Sequence, residues 1–147
     1  MNVTSTLDME EAVLRDFFEG KWDTFVDKES LHACGYLVDY QGQYQAFFAL
    51  APVVDGGYWL KSLYIKEGVP TTFPLTIIES SITLAKEKRA SSLYVYSHQS
   101  ALDRLLSILQ FMPQEQPSFS KEIEAIGGNW WVMDIDNDLP TKDSTTI

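Results

Sequence analysis

The chain has 147 residues, the size of a single domain, and is long enough to bury a hydrophobic core without disulfides or metals. Apolar residues make up 45% and charged residues 22% of it; these are ordinary globular values, and the longest uncharged apolar run, Tyr44 to Val54, is too short to span a bilayer. The formal net charge of −10 is uneven, with 3 basic and 10 acidic side chains in residues 1–60, 6 and 4 in 61–104, and 2 and 7 in 105–147, so nucleic acid and membrane surfaces are not expected partners and only the middle third suits an anion.

Asp8 and Glu11 are spaced as a capping pair, and Met9, Ala12, Val13 and Phe17 fall on one helical face, which predicts a first helix running to about Glu19. Trp22, Phe25 and Leu31 recur at roughly helical spacing between Lys21 and Cys34, predicting a second helix with its aromatic residues in the core. Gly35 to Tyr40 and Tyr44 to Ala51 are rich in strand formers and flank Gln41-Gly42-Gln43, the pattern of an antiparallel hairpin. Past Pro52 and Asp55-Gly56-Gly57, Tyr58 to Ile65 predicts a third strand of the same meander.

From Leu75 to Arg89, the residues Leu75, Ile78, Ile82 and Ala85 form one stripe. Thr76 and Glu79 are spaced as a capping box, and Lys86, Lys88 and Arg89 suit the negative end of the helix dipole. A strand is expected over Leu93 to Tyr96, then a helix opened by Ser100 and Asp103 and carrying Leu102, Leu105, Leu106 and Leu109. That strand-helix-strand order implies a right-handed crossover. Pro113 and Pro117 open a polar connection, and Trp130 to Ile135 supplies a terminal strand. Residues 1–136 thus read as one domain, and the acidic, threonine-rich stretch 137–147 as a disordered tail.

Cys34 has no second cysteine to pair with, and with His32 and His98 it does not make the spaced cluster of a zinc site, so no metal is expected. Met1 to Asp8 has neither the basic nor the apolar region of a secretory leader, which points to the cytoplasm.

The segments between Trp59 and Phe111 resemble, in order and spacing, those of the GNAT acyltransferase superfamily. An apolar triplet ends a strand (Leu63-Tyr64-Ile65), a loop follows (Lys66 to Pro74), then a helix ending Ala85-Lys86-Glu87-Lys88, a strand (Leu93-Tyr94-Val95-Tyr96), and a helix closing on Leu109-Gln110-Phe111. The resemblance implies an α/β fold: a GNAT-like mixed sheet of about six to seven strands with helices on both faces, splayed between its third-strand and fifth-strand equivalents. It also implies acetyl-CoA or another acyl-CoA as cofactor, held by Leu63, Tyr64, Ile65, Lys66, Thr71, Thr72, Phe73 and Gln99.

The loop departs from the family's Arg/Gln-x-x-Gly-x-Gly/Ala signature, reading Gly68-Val69-Pro70-Thr71-Thr72-Phe73-Pro74. Close approach of backbone amides to a pyrophosphate needs glycine and free N–H groups, whereas Pro70 and Pro74 each remove a donor and Phe73 adds bulk. A helix N-terminus, the hydroxyls of Thr71 and Thr72, and Lys66 remain to meet a phosphate. The family's thiolate-protonating tyrosine corresponds to Leu106, and its glutamate base to no carboxylate on the strand Tyr58 to Ile65. Tyr64, Tyr94, Tyr96 and His98 are the substitutes on offer, while Cys34 has no base beside it and reads as a small apolar residue.

Two functions follow from the resemblance: an acetyl-CoA-dependent N-acetyltransferase acting on a small or peptidic amine, or a catalytically inactive GNAT-fold binding or regulatory module. The acidity of residues 1–60 favours a cationic amine as acceptor, and a second copy of the chain is an allowed partner.

Overall fold

The computed structural model describes residues 2–120 and 128–135. Four α-helices and seven strands are found there: β1 (Asn2–Ser5), α1 (Glu11–Phe18), α2 (Lys28–Cys34), β2 (Gly35–Tyr40), β3 (Gln43–Pro52), β4 (Tyr58–Ile65), α3 (Phe73–Glu87), β5 (Ser92–Ser97), α4 (Ser100–Ile108), β6 (Met112–Gln114) and β7 (Asn129–Asp134). The strands form a mixed sheet in the order β1-β2-β3-β4-β5-β7-β6, which is the α/β class expected. The chain divides into two compact units, residues 1–51 with 61–74 and residues 52–60 with 75–147.

In the first unit the hairpin lies where the turn residues put it. Gln41 and Gly42 both have positive φ, 54° and 82°, the geometry of a two-residue turn whose twist matches that of the paired strands. The Gly42 N–H donates to Asp39 Oδ1 at 3.1 Å. β1 pairs antiparallel with β2 from Asn2↔Asp39 to Ser5↔Tyr36; this strand has no alternating pattern of its own and is recruited by the exposed ladder of β2.

The first helix is shorter than its sequence pattern. It starts at Glu11 and gives way at Glu19 to a 3-10 helix, Glu19–Thr24. The Glu11 carboxylate is not engaged in a capping box with Asp8; it accepts a hydrogen bond from Trp22 Nε1 at 3.1 Å. The predicted second helix is likewise split, the 3-10 helix being followed by Phe25–Asp27 and then α2. The break lets Trp22 and Leu31 both become buried beside Leu14, Phe18, Leu37 and Phe47, with Phe25, Cys34 and Tyr64 packed partly buried against them. His32 donates from Nε2 to the Met9 carbonyl at 2.7 Å, and Thr6 Oγ1 donates to the His32 carbonyl at 2.7 Å, tying the entry of α1 to α2.

Trp22 holds the Glu11 carboxyl below its ordinary value by donating the indole N–H to it, with Arg15 adding to the effect. A carboxyl lowered in the folded state contributes stability above its unfolded value, near 4.5, and loses it as pH falls through the folded one. Glu11→Gln is therefore expected to make unfolding less sensitive to acid below about pH 4.5; an unchanged slope of stability against pH there would contradict the assignment.

The second unit holds the N-terminal part of β4 and the strands β5, β6 and β7. β4 runs parallel to β5 with the register Tyr58↔Leu93, Trp59↔Tyr94 and Leu60↔Val95. β7 is antiparallel to both β5 and β6. Burial alternates along β5, with Leu93, Val95 and Ser97 on the covered face. α3 begins at Phe73, so Thr76 and Glu79 lie within it and do not cap it. Its most buried residues are Phe73, Ile77, Ile78, Ser81 and Ala85, a line rotated from the predicted stripe. The polar Ser81 is tolerated on that line because its hydroxyl donates to the Ile77 carbonyl at 2.9 Å.

Ser100 and Asp103 do not form a cap-like pair either. Gln99 precedes the first turn of α4 and receives the Asp103 N–H on its carbonyl. The Asp103 carboxylate instead accepts from Trp131 Nε1 at 2.8 Å and Asn129 Nδ2 at 3.3 Å, fastening α4 to β7. The 137–147 tail expected to be disordered lies outside the described residues, as does part of the polar connection after Pro117.

Candidate functional site

The cofactor residues read from the sequence fall on two surfaces, one in each unit. In the first unit, β4 carries Leu63, Tyr64 and Ile65, and the chain then turns through Lys66, Glu67 and Gly68. Gly68 has φ +91° and open space around its Cα, a conformation that a side chain would strain. Ser62, in the middle of β4, has φ 57°, two residues after the last registered pair with β5. A positive φ inside a strand marks a bend of the bulge type that re-aims the residues after it.

Tyr64 stands with its ring edge-on to Phe18 at 5.2 Å and tilted against Phe25 at 5.8 Å. Burial raises its phenol above the usual tyrosine value, and the nearby Asp27 carboxylate adds to this. Asp27 in turn pairs with Lys61 Nζ at 3.2 Å.

Lys66 is exposed, its ammonium 4.6 Å above the Phe17 ring and its N–H bonded to the Gln45 carbonyl at 2.8 Å. It borders two cavities. One, of about 400 Å³, also touches Phe18, Lys21, Tyr64 and Ile65; the other, of about 680 Å³, touches Val13, Asp16 and Tyr44. Two ammonium groups, from Lys21 and Lys66, and two carboxylates, from Glu19 and Glu67, thus border the first, beside a tyrosine that holds its proton.

Thr71 and Thr72 are exposed ahead of α3, whereas Phe73 is 3% exposed and meets Tyr40 edge-on at 5.5 Å. The Phe73 N–H donates to the Pro70 carbonyl at 3.0 Å, so this amide closes a proline turn. Gln99 lies in the second unit, exposed at the start of α4, where its N–H and carbonyl both meet the Ser97 hydroxyl. Leu106 is fully buried.

The other tyrosines named from the sequence belong to an aromatic group in the second unit. Trp59, Tyr94, Tyr96, Phe119 and Trp130 contact one another with ring centroids 5.1–6.0 Å apart, and His98 lies 5.8 Å from Tyr96. Strand registers explain this: Tyr94 is opposite Trp59 on one side and Val132 on the other, and Tyr96 is opposite Trp130, so alternate residues share a face. Sequence reasoning had treated Trp130 only as a strand former. Its partner on the same face became visible once β7 was seen to pair with β5.

Among the described residues no group of three His, Cys, Asp or Glu side chains is placed to hold a metal ion, and no helix is long and apolar enough to cross a membrane.

No family model matches the sequence, and no curated protein matches it. Solved structures do. N-acetylglutamate synthase from Neisseria gonorrhoeae, complexed with coenzyme A and N-acetyl-glutamate, superposes with a TM-score of 0.70 at 10% identity, covering 92% of this chain and 35% of that one. The chain therefore spans about a third of that enzyme. An acetyltransferase of the GNAT family from Staphylococcus aureus superposes with a TM-score of 0.64 at 10% identity, covering 92% and 99% of the two chains. A GNAT-family acetyltransferase from Elizabethkingia anophelis with acetyl-CoA bound gives 0.60 at 16% identity, covering 72% and 79%. The order of strands and helices, and not the identity of their residues, is what these proteins share with it: the chain has the fold of the GNAT acetyltransferases.

Proposed function

We propose that the protein binds acyl-CoA and transfers the acyl group to the amine of a small or peptidic acceptor. The observation that carries this reading is the match of 92% of the chain to a CoA-bound acetyltransferase structure. In the reaction, the amine nitrogen attacks the thioester carbon, the new N–C bond replaces the C–S bond, and CoA leaves as a thiolate that takes up a proton. Most of the rate gain in such a transfer comes from holding the two reactants together, so the lack of a tyrosine at Leu106 slows the enzyme without abolishing it; a missing general acid costs about 10²–10⁴-fold.

In this reading Lys66, with the hydroxyls of Thr71 and Thr72, meets the CoA phosphates. The strand Leu63-Tyr64-Ile65 lies along the pantetheine, and Phe73 supports the start of α3 from inside the core. Tyr64 serves as a proton donor and not a base, because a phenol is protonated at neutral pH and burial raises this one further. The acidic first unit, where Asp16 borders the cavity shared with Lys66, favours a cationic acceptor. The reading treats residues 1–136 as one functional domain working in the cytoplasm.

Thermal unfolding with CoA, acetyl-CoA and longer acyl-CoAs tests the reading. A ligand at 100 times its dissociation constant stabilises a fold by about 2.7 kcal/mol, and Lys66→Ala is expected to weaken that ligand a few-fold, since exposed charge contacts are worth about 0–1 kcal/mol. No stabilisation by any of them would sink the proposal. The buried Leu106 favours a second reading, a non-catalytic acyl-CoA-binding module. That reading is the one to adopt if acyl-CoA stabilises the fold but a panel of cationic, neutral and anionic amines yields no acylated product.

A further inference from the structure

Among the described residues of the second unit, two polar atoms are buried with no hydrogen-bond partner: the Tyr96 hydroxyl and Trp130 Nε1. They belong to cross-strand neighbours on β5 and β7 whose ring centroids lie 5.2 Å apart, and both residues line one cavity of about 470 Å³. A buried donor without an acceptor costs stability, and phenylalanine in place of Tyr96 would fill similar space without that cost. Two such atoms on adjacent residues of one cavity therefore call for an acceptor from outside the chain.

The lining decides what that acceptor is. Gln114, Gln116, Asn129 and Trp131 stand around the same space, and among the described residues no charged side chain does, so an ionic ligand would give up hydration with no charged partner among them to replace it. The indole N–H can only donate, and the phenol donates as readily as it accepts. The pair thus suits a carbonyl oxygen, while the side-chain amides and ring faces suit a planar amide. The volume is that of a small-ligand site.

We propose that this cavity binds a neutral, amide-bearing ligand whose carbonyl oxygen accepts from Tyr96 and Trp130. Gly128 is the cover over the first of these groups. A Cβ at Gly128 would fall 2.3 Å from both Cζ and Oη of Tyr96, so the main chain packs closely against the hydroxyl and only glycine fits there, and the ligand reaches the hydroxyl where Gly128 gives way. The site goes beyond the acyl-transfer reading and does not depend on it.

The test uses the full chain without CoA and follows the four tryptophan indole N–H resonances during titration with a dipeptide acetylated at its N-terminus and amidated at its C-terminus. Trp130→Phe identifies the relevant resonance; if that variant does not fold, Trp22→Phe, Trp59→Phe and Trp131→Phe together identify it by elimination. The capped dipeptide is expected to shift the Trp130 signal. The same dipeptide with free, charged termini should bind at least about tenfold more weakly. Tyr96→Phe should bind the capped dipeptide about tenfold more weakly, the loss of one hydrogen bond, while melting no lower than the parent. An indole signal unmoved up to the solubility limit, equal binding of the charged dipeptide, or full affinity in Tyr96→Phe would each overturn the proposal.

Discussion

Gly35→Ala is expected to destabilise the fold by about 1–3 kcal/mol, the usual cost of forcing a methyl group into filled space. The residue ends α2 and opens β2. A Cβ there would fall 2.4 Å from the Leu31 carbonyl oxygen and 2.5 and 2.6 Å from ring atoms of Phe47. The first of these is main chain, and the Phe47 ring is fully buried, so neither can step aside cheaply. Backbone conformation is not the reason for glycine here, because φ −87° and ψ 163° are open to any residue; close approach is. For a chain of this length the loss lowers the melting temperature by about 2–4 °C per kcal/mol. Gly20→Ala is the control, since nothing lies within 4 Å of a Cβ at that position, and it should be neutral or slightly stabilising. Urea unfolding of the two variants side by side checks the pair, and equal stability would contradict the seat of α2 on β3.

Trp22→Ala should be costlier still, about 3–5 kcal/mol, the range for removing a large buried aromatic side chain. That is a large part of the 5–15 kcal/mol that holds a typical domain together. Trp22 is fully buried, with its ring stacked on Phe18 at 5.7 Å and 19° and Phe25 edge-on at 6.1 Å. Trp22→Phe separates the two contributions: it keeps much of the packing but removes the donor that Glu11 accepts. Its stability should therefore lose the part of the acid dependence that the Trp22 indole confers through Glu11, while the Arg15 contribution stays. A Trp22→Ala variant that melts within a degree or two of the parent would mean that this cluster is not the centre of the first unit.

How far the sequence could be read depended on where the information is local. The hairpin was legible because Gln41-Gly42 dictates its own turn, and the strand Tyr58–Ile65 and the helix after it were legible from periodicity. Capping pairs were misread each time. Glu11, Thr76 with Glu79, and Ser100 with Asp103 all have the right spacing, but spacing does not say whether a carboxylate has a better partner. Trp22 took Glu11 and Trp131 took Asp103, and both partners are distant in sequence. The short strands β1 and β6 escaped notice for a related reason: neither has a pattern of its own, and each forms because a neighbouring strand offers an unpaired ladder.

For the candidate site the sequence names residues and not their surroundings. Lys66, Tyr64 and Ile65, named from it as cofactor residues, border one cavity. Phe73 carried the same expectation, yet its ring is inside the core against Tyr40, because an aromatic residue opening a helix is pulled inward by burial. The unpartnered Tyr96 and Trp130 could not have been found from the sequence, since an atom without a partner is defined only when every neighbour has been placed.

The sequence by itself determined the α/β class, the order of the longer strands and of the helices among them, and the net negative charge, all of which follow from short-range pattern and composition. Only the tertiary structure decided which strands lie side by side, which side chains satisfy Trp22 and Trp131, and which aromatic residues gather on one face. Those depend on pairings across 11 to 42 residues of chain, and such pairings are set by burial and hydrogen-bond satisfaction in the assembled fold and not by neighbours in sequence.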